Sequence, residues 1–230
     1  MNTDTSAVAI ARRAELAGVV DSVLEDRRLL THPFYRRWEA GELSAGELAE
    51  YAVHYRAFES VLPEVLTAVV AQLLADGEDE AAELVARNLA DELENPESHL
   101  ALFDSFAAAL PVVPLAAAPG PAAVELACTY RALARRSPVA AIAGLAAYES
   151  QAAAIAATKG DGLRRWYGMD AVGTRFWDVH STMDADHGDW AIDALALLGA
   201  DADEVSTSAQ QAADAWWALL DERQSEHLAA

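Results

Sequence analysis

The chain has one cysteine in 230 residues. That residue, Cys128, cannot form an intrachain disulfide, which suits a reducing cytoplasm. It stands in an apolar helical stretch and is expected to be core. Lysine is equally scarce: Lys159 stands alone and every other basic residue is arginine. Lys and Arg together number 16 against 37 Asp and Glu, for a net charge of −21. Such a field repels phosphate backbones and anionic bilayers, so neither nucleic acid nor a membrane is an expected partner. The acidity is read first as a solubility or salt adaptation. No apolar run is expected to reach the ~18 residues of a membrane span. The N-terminus lacks the basic start, apolar stretch and small-residue cleavage site of a signal peptide. Internal repeats and Gly-rich phosphate loops are missing as well.

What is present points to helices. Hydrophobic residues make up 53% of the chain, mostly Ala and Leu, which are strong helix formers, and β-branched runs are few. The expected fold is all-α: a single domain over residues 1–230, built as a bundle of seven to eight helices. A first helix is expected from about Ser6 to Leu30, and Pro33 opens the next. Ser44 and Glu47 form a capping-box pattern for a long helix reaching about Leu74 and kinked at Pro63. A turn at residues 76–79 precedes a helix from Glu80 to Glu94, interrupted at Asn95-Pro96 and resumed from Glu97 to Leu110. Pro111 to Pro121 reads as a surface connection. Helices then follow from Ala122 to Arg135, from Pro138 to about Thr158, from Ala171 to Leu198 and from Ala202 to Ser225. The run Lys159-Gly160-Asp161-Gly162 is expected to end the second of these. The adjacent Trp216 and Trp217 are compatible with core packing or with a homodimer interface.

Three segments carry metal-binding chemistry. His180, Asp184 and His187 fall at i, i+4 and i+7, one stripe of a helix, and offer two imidazoles and a carboxylate. Glu92 and His99 are seven apart, again two turns on one face. Several carboxylates there could equally be a solvated helix end. Glu149 lies inside a long apolar stretch, where a carboxylate is costly unless paired or metal-bound. The alternative is an exposed Glu on a polar stripe with Ser150 and Gln151. Together these helices supply three histidines and three carboxylates, a set that suits two metal ions in a bundle core. His32, His54 and His227 read as structural or solvent-facing, with His54 able to line the cavity.

The pattern Glu92-x6-His99, Glu149, His180-x3-Asp184-x2-His187 resembles the ligand set of the haem-oxygenase-like diiron oxidases and oxygenases. Within that group the chain is similar to the para-aminobenzoate synthases of the chlamydial death-domain-associating type. The similarity runs from about His32 to Trp217. It includes His32-Pro-Phe-Tyr35-Arg-Arg-Trp38, Tyr51 and Tyr55, Asn88-Leu-Ala-Asp91-Glu92, Tyr148-Glu149-Ser150-Gln151, and Lys159. The resemblance implies a haem-oxygenase-like fold and an Fe/Fe or Fe/Mn centre using dioxygen and an external reductant. It also implies that the enzyme is consumed: the ring of para-aminobenzoate comes from Tyr35 and the nitrogen from Lys159. Tyr148 and Tyr51 would lie near the metal and could relay electrons. A family tyrosine four residues before the first ligand histidine is Phe176 here, so any role of that tyrosine does not carry over.

Plain structural roles compete with these. Tyr35, Tyr51 and Tyr148 could be core aromatics with bonded hydroxyls. Lys159 could sit at a helix C-terminus for electrostatic reasons alone, although only a lysine, not an arginine, offers a deprotonatable amine. Two rival functions stand beside the first. One is a diiron oxygenase acting on a free amino acid or fatty acid. The other is a metal-free helical protein that binds a small molecule or a protein partner, for which Cys128 would have to be the nucleophile.

Overall fold

Helix starts follow the capping chemistry of the sequence in this computed structural model, which describes the backbone of residues 2–94, 97–112 and 118–229. Among these residues the side chains of 2–8, 94, 184, 185 and 226–229 are not described. Helix α1 (Asn2–Leu24) leads through a 3-10 turn (Leu29–Thr31) to α2 (Pro33–Ala40). His32 caps α2: its Nδ1 accepts from Phe34 N at 3.1 Å, and its Nε2 lies 3.1 Å from Asp221. Gly41 then turns the chain with φ +74°, a conformation that costs a side chain and suits glycine. Ser44 and Glu47 form the expected reciprocal capping box on α3 (Ala45–Glu59).

Pro63 does more than kink. The chain leaves the helix at Ser60 and Val61, and α4 (Leu62–Asp76) begins with Pro63 in its first turn. A proline is well placed there because that turn has no donor to lose. α5 (Asp79–Glu94), α6 (His99–Ala109) and α7 (Pro121–Arg136) follow. Asn95, Pro96 and residues 113–117 lie outside the described residues. Ser137 caps α8 (Pro138–Tyr167), Asp170 caps α9 (Ala171–Leu197), and α10 (Ala202–Ala229) closes the chain. The described residues thus hold ten α-helices and no strand, where seven to eight helices were expected.

α8 is the central rod. It packs against α9 along most of its length and against α10, α7, α4, α2 and α1 around its circumference. It does not end at Lys159 as expected, but runs on to Tyr167. A Cβ on Gly160 would make only ordinary contact with Trp177 at 3.5 Å, whereas Gly162 is there for close packing, since a Cβ on it would meet Trp38 at 3.0 Å. Gly188 on α9 does the same opposite the site, since a Cβ would come within 3.3 Å of the Glu149 and Ser150 backbone.

Two further expectations are corrected. Cys128 is exposed, because the inner face of α7 is set by Ala123, Leu126, Ala127, Tyr130 and Leu133, and residue 128 falls on the outer side. Residues Ala45–Asp76 and Pro138–Tyr167 do reach the length and mean hydropathy of a membrane span. The first of these is divided at Ser60, and the most apolar part of the second is 72% buried inside the bundle. Trp216 is a core residue, stacked on Tyr148 with ring centres 4.3 Å apart, while Trp217 sits edge-on to His32 at 4.8 Å.

Candidate metal centre and lysine box

Four helices, where three were expected, deliver donors to one buried place. α5 contributes Glu92, the first residue of α6 is His99, α8 contributes Glu149, and α9 contributes His180 and His187. Glu92 and His99 do not share a helix face, as their spacing suggested. α5 ends at Glu94, and Ser98 caps a new helix that starts on His99. They meet because the chain turns: His99 Nδ1 lies 3.0 Å from Glu92 Oε1. All five side chains are buried. Asp184 lies outside the residues whose side chains are described, as does His227.

A cavity with about 20 Å³ of free space is lined by Glu92, Glu149, His180 and His187 together with Glu59, Tyr55 and Tyr148. That is room for about one water-sized molecule. The donors around it are prepared for a cation. The His180 Nδ1–H donates to the Phe176 carbonyl at 2.7 Å, which leaves the Nε2 lone pair facing outward from that bond. His187 Nε2 lies 3.1 Å from Asp91 Oδ2, and Asn88 Nδ2 donates to Glu149 Oε1 at 2.7 Å. Such outer partners orient metal-binding side chains. His99 Nδ1 lies close to Glu92, but neither ring nitrogen of His99 makes a hydrogen bond of good geometry, and Glu149 Oε2 and Glu59 Oε1 are buried without one. Orphaned buried acceptors of this kind are rare and costly, and here they are of the types that bind iron, manganese or zinc. The donor set fits a metal.

The electrostatics agree. Burial pushes the Glu92 carboxyl up to about 8, with Glu149 and Asp91 adding to the rise and His187 opposing it. Burial also raises Glu149, against His187 and the Asn88 hydrogen bond, and raises Glu59 well above the usual carboxylate range. Burial lowers His99, and lowers His180 far more, so both imidazoles are held neutral with a lone pair to offer. A bound divalent cation reverses the carboxylate shifts by supplying the missing positive charge.

Beside this cavity lies a second cluster. Lys159 is 1% exposed, and its Nζ donates to the Tyr51 hydroxyl at 2.6 Å. The Tyr51 hydroxyl is in turn 2.7 Å from that of Tyr35. The Nζ stands 4.4 Å from the ring centres of Tyr35 and Trp177, 4.9 Å from those of Tyr51 and Tyr55, and 5.6 Å from that of Trp38. Burial drives this amine well below the usual lysine range, with Glu59 pulling weakly the other way. Burial holds Tyr35, Tyr51 and Tyr55 as neutral phenols.

The structure therefore brings four expected ligands and Tyr148 to the cavity wall, with the fifth, His99, behind them against Glu92 and His180. Tyr35, Tyr51 and Lys159 come together one layer away. Tyr51 does not line the cavity; Tyr55 stands between, its ring 5.6 Å from that of Tyr51 and its hydroxyl 2.8 Å from that of Tyr148. Phe176, in place of the family tyrosine, rests its ring 4.0 Å from that of His180. His54 lies away from this site, 3.4 Å from Glu222. Sequence reasoning missed Glu59. The signal available was its place in the series Tyr51, Tyr55, Glu59, which fall four residues apart on one stripe of α3.

Comparison with known proteins agrees with this geometry. A family described as iron-containing redox enzymes matches residues 49–221. The chain is 36% identical over 218 residues to a protein from Nitrosomonas europaea named 4-aminobenzoate synthase, covering 88% of each. A protein of the same name from Chlamydia trachomatis is 30% identical over 209 residues, covering 88% of this chain and 89% of that one. Two solved structures share the fold at low identity. A CADD-like protein of unknown function from Nostoc punctiforme superimposes with a TM-score of 0.75 at 17% identity, over 93% of this chain and 97% of that one. A domain of unknown function with a haem-oxygenase-like fold from Shewanella denitrificans gives 0.70 at 15%, over 94% and 91%. The chain is a haem-oxygenase-like oxidoreductase and belongs to the iron-containing redox enzyme family.

Proposed function

We propose that this enzyme is a dinuclear oxygenase that makes 4-aminobenzoate, the para isomer, from its own side chains. Tyr35 supplies the ring and Lys159 the nitrogen. Glu92, His99, Glu149, His180, Asp184 and His187 hold two metal ions, Fe/Fe or Fe/Mn, since these ligands suit both. When bound, the metals supply the means to activate dioxygen with electrons from an external reductant. The partners are otherwise small molecules, and the reading keeps the enzyme in the reducing cytoplasm.

The observation that carries this reading is the placement of Lys159 Nζ 4.4 Å from the centre of the Tyr35 ring inside a buried aromatic box. A protonated lysine has no lone pair to give. Burial among five aromatic rings lowers the pKa of this one well below the usual lysine range and so favours the free amine. Tyr51 touches both reactants, accepting from Lys159 and sharing a hydrogen bond with Tyr35, and so fixes their relative position. Tyr55 and Tyr148 line the metal-facing cavity and connect it to the box. The cavity itself is too small for an amino acid or fatty acid. This favours a ring drawn from the protein beside the cavity over one supplied as a free substrate.

Peptide mass spectrometry before and after turnover with iron, reductant and dioxygen tests the reading. Modified Tyr35 and Lys159 peptides, in proportion to product formed, are expected. Product released from a chain in which both residues are unaltered would overturn it.

A further inference from the structure

We propose that Glu59 is a metal ligand of this centre, completing a site on the ion held by His99 and His180. The inference rests on the metal-centre reading above and adds to it a residue outside the six expected ligands.

Glu59 is the last residue of α3 and is 2% exposed. The helix ends immediately after it, at Ser60, which would ordinarily leave a terminal glutamate in water. Instead its carboxylate lines the cavity, and one donor atom each of Glu59, His99 and His180 lie within 4.8 Å of one another. Small side-chain rotations close such a triangle on one ion. Glu59 Oε1 has no hydrogen-bond partner. The Lys159 amine gives its hydrogen bond to Tyr51 rather than to Glu59. A buried carboxylate oxygen with no donor is costly and calls for a cation.

Charge gives an independent argument. Two divalent ions bring four positive charges into a buried cavity, and Glu92, Glu149 and Asp184 return three negative ones. Glu59 supplies the fourth, so the loaded site is neutral, as burial demands. The same placement puts Tyr51, Tyr55 and Glu59 on one stripe of α3, so that a single helix runs from the lysine box to the metal.

The test measures Fe(II) binding in the full-length chain, by metal analysis and chelator competition, for wild type, Glu59→Gln and Glu59→Ala. Both variants are expected to bind iron at least ~10-fold more weakly and to retain less per chain, since even indirect partners of metal ligands cost ~10–100-fold. Wild-type affinity and stoichiometry in a folded Glu59→Gln chain would overturn the assignment while leaving the metal centre intact. Failure of the wild type itself to bind iron would defeat both. If the variants do not fold, anomalous scattering at the iron edge from a loaded wild-type crystal decides. Iron within bonding distance of a Glu59 oxygen supports the assignment, and a Glu59 side chain turned away from the iron overturns it.

Discussion

The hydroxyls of Tyr55 and Tyr148 meet at 2.8 Å, joining α3 to α8 where the lysine box adjoins the carboxylate cavity. Both rings are buried, and Tyr148 is backed by the stacked indole of Trp216. This bond holds the two clusters in register. Tyr55→Phe removes it while preserving the ring. The expected cost is about 1 kcal/mol, read as a fall of ~2–4 °C in Tm for a chain of this length. Bound iron should be unchanged and product yield reduced, which separate metal analysis and product assays will show.

Lys159 makes stability depend on pH in a defined direction. Its folded-state pKa lies well below its unfolded value because of burial. Between those two values the unfolded chain binds more protons than the folded one, so stability rises with pH through that window. Lys159→Met removes the burial cost of the amine and leaves the aromatic box filled. The metal-free variant is expected to melt above the wild type at neutral pH, each ~1 kcal/mol relieved appearing as ~2–4 °C. The difference should shrink as pH approaches the unfolded lysine value of ~10.4. Thermal melts at a series of pH values check this; a difference that grows with pH would contradict it.

Asp91 does not line the described cavity, yet its carboxylate stands 3.1 Å from His187 Nε2. Asp91→Asn keeps the shape and removes the charge that orients the imidazole. Iron affinity is expected to fall ~10–100-fold with little change in Tm of the metal-free chain. Chelator competition and thermal melts on the same preparations test the two halves of this expectation.

The sequence made helix starts legible where capping residues were read: Ser44 and Ser137 both cap as side chains. It misled where a residue has two structural uses. Pro63 reads as a kink within a helix, but it also fits the first turn of a new one, and tertiary packing chose that. Gly160 and Gly162 read as helix breakers, whereas both lie within α8 and Gly162 thins it for Trp38. This error moved Lys159 from a buried mid-helix position to an expected helix end. In the site, His180 and His187 were legible from helical spacing alone. His99 was recovered for a partly wrong reason, because it reaches Glu92 through a chain turn rather than a shared helix face. Glu59 was not found because its one local signal, a place four residues after Tyr55 on a helical stripe, does not show what that stripe faces. Its burial depends on α6 and α9, which lie far along the chain.

Isotope tracing tests the central claim most directly. Protein is grown with heavy-nitrogen lysine and ring-carbon-labelled tyrosine, loaded with iron, and turned over in unlabelled buffer with reductant and dioxygen. Because the chain holds one lysine, a labelled amino group in the product identifies its source without further mapping. Released 4-aminobenzoate carrying both labels is the predicted result. Product lacking either label, or no product from a fully iron-loaded chain, would contradict the account.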